Sequence, residues 1–252
     1  MKCILITYPG SHNVLSAEKN LECLGIYNYS TATFQSLDDM FTSPVSEFMS
    51  FWYEAQALAH LSDKSRIASL IHVLLLRAKV TSKHRFIERA VTAKHIYAIL
   101  SFLESASDWC VIFEDDFQIK EYGAESFRTF TEDVLKANYD LPTLIDVCGT
   151  GSLNIDGIGV SAFDSICSQF NPHRSNTCCG YMINRKMGAL LAAATLRFPS
   201  CQYLAIDWLM NVAFAKHKAL GFEEILTLRA NAYSLLHGSF LGMTRSWQKI
   251  DV

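Results

Sequence analysis

"WCVIFEDDFQIK", residues 109–120, runs five mostly apolar residues straight into Glu114, Asp115 and Asp116 and then returns to apolar character. The stretch reads as a short buried strand that ends on three carboxylates. Comparable strand-like segments are "CILITY" (3–8), "TLIDVCG" (143–149) and "CCGYMIN" (178–184). Between them lie segments with apolar residues at helical spacing: 46–61, 65–79, 86–106, 185–196 and 206–219. Strands separated by helical patterns predict an α/β fold with a mostly parallel central sheet flanked by helices. The expected organisation is a single domain over 1–252, with a helical insertion around 46–106.

Half of the 252 residues are hydrophobic, which is ample for a large core. Five prolines and twelve glycines, with no low-complexity run, leave no linker to predict. A net charge of −3 argues against a nucleic-acid partner. Locally the balance differs. From Lys64 to Lys94 there are eight Lys/Arg and one acid, Glu88. That stretch is either a patch for phosphate or an anionic surface, or a solvated helix face. The start, "MKCILITYPG", reads as a strand and turn, too short for a signal peptide's apolar region. The longest apolar run, "IASLIHVLLL" (67–76), is far short of the roughly 20 residues a membrane span needs. The expectation is a cytoplasmic protein, with peripheral contact at the inner membrane face left open. Eight cysteines form no C-x-x-C pair, so they read as buried thiols and not as a zinc site.

In an open α/β sheet, ligands bind beyond the carboxyl ends of the strands, where the acids at 114–116 fall. If extended conformation persists, Glu114 and Asp116 project to the same side. Carboxylates so close raise each other's proton affinity, and a divalent cation removes that penalty. Hard oxygens suit Mg²⁺ or Mn²⁺, which take one or two carboxylates together with phosphate oxygens. The alternative is a polar turn with an Asp capping a helix.

The segment "KHIYAILSFLESASDWCVIFEDDFQI" (94–119) resembles the central segment of glycosyltransferase family 25, the lipopolysaccharide galactosyltransferase-like enzymes, in which a helix carrying Ser-His leads, after a short gap, to an apolar strand and "LEDD". "ILITYP" (4–9), "NLECLGI" (20–26) and "NYSTATF" (28–34) are similar to the family's opening strand, helix and second strand. "TCCGYMINRKMGALLAA" (177–193) and "LAIDWLM" (204–210) are similar to its later segments. Two departures stand out. The usual Arg after the first strand is missing, with Ser11-His12-Asn13 in its neighbourhood, and Lys94 replaces the small residue before His95.

The resemblance implies a GT-A fold and a metal-dependent hexosyltransferase, inverting as in the family. It would move galactose or glucose from a nucleotide-sugar donor, UDP-sugar favoured, to a saccharide or glycolipid acceptor such as lipopolysaccharide. Thr7, Tyr8, Pro9 and Asn13 would approach the nucleotide, with Glu114, Asp115 and Arg245 also on the donor side. Asp116, with Asp115 or Glu114 and with His237, would hold Mn²⁺ or Mg²⁺; the alternative place for Asp115 is facing the ribose. Asp207 would act as the base that takes the acceptor's proton, against the alternative of a helix N-cap. His95 is expected to pack or to orient a neighbour. Two other readings stay open: a nucleotidyltransferase that makes an activated sugar, and a non-catalytic relative that binds sugar or a partner.

Overall fold

The computed structural model describes residues 1–8, 10–33, 52–57, 82–137, 139–149, 159–173, 175, 179–231 and 235–237, with side chains for all of these except 82–86, 149 and 237. The helix expected at 65–79 lies outside the described residues, and 52–57 is the helical part of the 46–61 segment within them.

The strand at the centre of the sequence reading is Trp109–Glu114 (β3), and every residue but its last is buried. Both its faces are covered, which is why the run is continuous rather than alternating. Beside it lie Lys2–Ile6 (β1), parallel, and Gly180–Asn184 (β9), antiparallel. An eight-stranded sheet extends outward in the order β2-β1-β3-β9-β5-β10-β8-β7, with Ser30–Ala32 as β2 and Thr143–Asp146 as β5. Leu226–Ala230 forms β10, Cys167–Asn171 β8 and Gly159–Ala162 β7. Strands β1, β2, β3, β5 and β10 run one way, and β9 and β8 oppose them. The sheet is therefore mixed. A buried apolar strand carries the same composition in either direction, so "CCGYMIN" gave no sign that β9 would reverse.

Helices cover both faces. Ser82–Glu104 (α2), Arg185–Arg197 (α4) and Ile206–Ala215 (α5) bury Ala98, Phe102, Leu190, Ala194, Leu209 and Phe214 against Ile4, Ile112, Leu144 and Ile183. Val14–Cys23 (α1) and Gly123–Ala137 (α3) cover the other face, with Ala17, Leu21, Phe127 and Val134 against Leu5, Val111, Phe113 and Met182. The 82–104 part of the expected insertion is thus a layer of the fold itself. Asn184 joins the layers: its side chain accepts from the Thr143 and Met187 amides and donates to the Leu141 and Tyr139 carbonyls.

Gly180 lets β9 pass the end of β3. A Cβ there would overlap the Cys148 sulfur and stand 2.9 Å from a Phe113 ring carbon. Phe117–Ile119 (β4), Leu235–His237 (β11) and Cys148–Gly149 (β6) form a small second sheet directly after the acids. Among the described residues no helix is long and apolar enough to cross a membrane. Among the described residues seven cysteines, all but Cys23 buried, are free thiols, and burial pushes those of Cys3 and Cys201 up to about 12.

Candidate active site

Four strands running the same way, β1, β3, β5 and β10, end at one edge of the sheet, and β9 begins there. The registers place Asp146 beside both Tyr181 and Arg229, with Ile112 beside Tyr181. Glu114 is two residues beyond Ile112 and shares its face. Glu114, Tyr181, Asp146 and Arg229 therefore line one face of the edge, the face that carries α2, α4 and α5.

The three acids do not stay together. The strand ends at Glu114, and Asp115–Asp116 form a turn. The alternation expected to place Glu114 and Asp116 on one side stops there. Glu114 turns onto α2, where its Oε1 lies 3.0 Å from His95 Nε2. On the far side of that ring, His95 Nδ1 lies 2.9 Å from the Tyr181 hydroxyl. Full burial pushes the His95 pKa down to about 3, outweighing the nearby Asp207 carboxylate, which acts the other way. A neutral ring can accept from Tyr181 at Nδ1 and donate from Nε2 to Glu114, which satisfies both neighbours at once. Sequence reasoning expected His95 to pack or to orient a neighbour; its ring is fully buried and lies against the Glu114 carboxylate.

Asp115 turns the other way, onto the β1–α1 connection. It accepts from Thr7 Oγ1 at 3.1 Å and from the Ser11 hydroxyl. Burial raises its pKa, Ser11's hydrogen bond lowers it, and the neighbouring Asp116 raises it again. In the same connection, Asn13 is buried, and its amide nitrogen Nδ2 has no hydrogen-bond partner. Tyr8 lies beneath Lys94, whose ammonium is 5.6 Å from the ring centroid. Lys94 is only 5% exposed. Burial lowers its pKa to about 8, against the pull of Asp115 and then Glu114.

Asp116 is buried at the mouth of β4. His237 of β11 pairs with Phe117 of β4, so its backbone stands one residue from Asp116, although nearly half the chain separates them in sequence. Its side chain lies outside the described residues, as do Pro9 and Arg245.

Asp207 is in the first turn of α5, where a carboxylate suits the helix dipole. Ala205 occupies the cap, and no side-chain capping bond forms there. Asp207 acts electrostatically on both His95 and Asp146, which places it over the same edge. Asp146 went unnoticed in the sequence, although "TLID" closes an apolar strand with an acid just as "WCVIFE" does. Burial raises its pKa well above the usual carboxylate range; a bond from the Cys148 amide and the charge of Arg229 pull it down, and Asp207 pushes it up. A cavity of about 480 Å³ adjoins the segment leading into α5, lined by Tyr53, Arg197, Ser200 and Tyr203 among others. Tyr53 and Tyr203 stack there at 4.5 Å, and the Arg89 guanidinium sits 4.6 Å from the Tyr203 centroid.

Among the described residues, no three His, Cys, Asp or Glu side chains converge to hold a metal ion. No protein-family model matches the chain, and no curated protein sequence matches it.

Proposed function

We propose that the chain is a GT-A-type glycosyltransferase that moves a hexosyl group from a nucleoside-diphosphate donor to a saccharide acceptor. The observation that carries this reading is the meeting of three distant segments at one sheet edge. Asp115 bonds to Thr7 and Ser11 of the first turn. Asp207, at the start of α5, lies near enough to act electrostatically on the His95 that faces Glu114. The first turn would meet the nucleotide, and the acids the diphosphate. Asp207 would take the acceptor's proton, with the Tyr53–Tyr203 cavity on the acceptor side. Stacked aromatic rings beside guanidinium groups suit a sugar's apolar face and its hydroxyls.

The donor set fits Mn²⁺ or Mg²⁺. Asp115 and Asp116 present hard, buried oxygens that raise each other's energy when both are ionised. Two carboxylates, with phosphate oxygens and water completing the shell, are a coordination that Mg²⁺ accepts. When bound, such an ion would neutralise the charge of the departing diphosphate.

Isothermal titration with UDP-sugars, with and without Mn²⁺, tests the reading. Mn²⁺ is expected to strengthen donor binding, and Asp116→Asn to abolish that metal-dependent gain. Asp207→Asn should bind donor like the parent and lose transfer. Transfer by Asp207→Asn at the parent rate would remove Asp207 from the mechanism, and no donor binding under any condition would remove the transferase.

A further inference from the structure

Lys94 is the least expected side chain at this edge. A lysine carries its charge on a long stem and is seldom fully buried unless paired. Here the residue is 5% exposed. Asp115 and Glu114 attract the ammonium from nearby but bond to other groups, Asp115 to Thr7 and Ser11, and Glu114 to His95. Among the described residues the ammonium has a ring contact, with Tyr8, but neither an ion pair nor a hydrogen bond. Its three protons are therefore unspent. The turn beneath it, residues 7–13, contains no lysine or arginine of its own.

Two further donors lie in that turn. Asn13 is 9% exposed, and its Nδ2 is a buried donor without a partner. The ten-residue helix α1 begins at Val14, so its first amides and the positive end of its dipole open at the same place. An ammonium, an orphaned amide donor and a helix N-terminus all call for one thing, an anion with several acceptor oxygens.

We infer that Lys94, Asn13 and the start of α1 form a phosphate-binding site that Lys94 makes competent without a divalent ion. The charge that the first turn lacks is supplied from α2, across the sheet edge. This inference rests on the proposed reading for the identity of the natural ligand, a nucleoside diphosphate, but not for the site itself.

The test is titration of inorganic pyrophosphate and of UDP into the full chain in EDTA, then in Mn²⁺. The parent is expected to bind pyrophosphate in EDTA. Lys94→Met should weaken that binding by about tenfold or more, the loss expected for a charged hydrogen bond, and Lys94→Arg should keep most of it. Asn13→Ala should weaken it by a smaller factor. Thermal melting checks that Lys94→Met is folded, and its midpoint should not fall, since a buried ammonium is removed. Equal pyrophosphate affinity in the parent and Lys94→Met overturns the inference, as does absence of binding by the parent in EDTA. If metal-dependent UDP-sugar binding survives alongside either result, the transferase reading stands and this inference alone is lost. If pyrophosphate binds through Lys94 but no donor sugar is ever bound or transferred, the inference stands and the transferase reading is lost.

Discussion

Keeping Lys94 buried has a stability cost that can be measured apart from any ligand. Its pKa lies at about 8 in the folded chain against an ordinary 10.5. Below pH 8 the lysine is protonated both folded and unfolded, so the folded state bears the whole desolvation cost. Between pH 8 and 10.5 the folded chain has released the proton while the unfolded chain still holds it. Stability therefore rises with pH across that window, because the unfolded state binds more protons. At 1.36 kcal/mol per pH unit, the cost is about 3 kcal/mol at pH 7, about 2 at pH 9 and about 1 at pH 10. Lys94→Met removes it. The substitution also adds a pH-independent packing difference, so the quantity that matters is how the gap between parent and variant changes. Asp115 and Glu114 face the ammonium from the end of β3, and Tyr8 lies beneath it; the two acids pull the pKa up without offsetting burial. Urea unfolding followed by tryptophan fluorescence at pH 7, 8, 9 and 10 gives the gap directly. Lys94→Met should be the more stable protein at pH 7, with its advantage shrinking by about 2 kcal/mol by pH 10. A gap that stays constant across the series would show that Lys94 is not desolvated, and the argument for an unspent buried ammonium would fall with it.

Gly180→Ala forces a methyl group into the Cys148 sulfur and the Phe113 ring. Overpacking of that kind should cost about 1–3 kcal/mol, read as a lower urea midpoint with an unchanged slope; an unshifted midpoint would show that β9 can move away from β3. His95→Ala strips a partner from both Glu114 and Tyr181. It should cost about 2–4 kcal/mol, for one neutral and one charged buried hydrogen bond. In a double-mutant cycle with Tyr181→Phe, the two losses should fall short of adding; strict additivity would deny that the three side chains act as a chain.

Much of this was legible in the residues. The apolar run 109–113 followed by three acids gave both a buried strand and its polar end, because burial and charge are written in composition. Helical spacing gave α2 and α4, whose apolar residues face the sheet. Other elements left weaker marks. Strand β7 is exposed throughout, so no apolar run announces it. Helix α3 begins at Gly123, without one of the favoured capping side chains, and it follows Tyr122 at a positive φ of 60°. Asp146 had a visible signal in "TLID" that went unused. The departure at Lys94 was visible too, but only as an unexplained difference.

By itself, then, the sequence determined which segments are buried and where the carboxylates stand along the chain, since local periodicity and hydrophobicity decide those things. Tertiary structure alone decided where each acid points. Glu114, Asp115 and Asp116 are neighbours along the chain, yet Glu114 meets His95, Asp115 meets Thr7 from 108 residues away, and Asp116 stands beside the strand that holds His237. Such meetings follow from which strands pair and in which direction. Pairing is set by the summed fit of two whole helical layers against the sheet, and no short stretch of residues contains it.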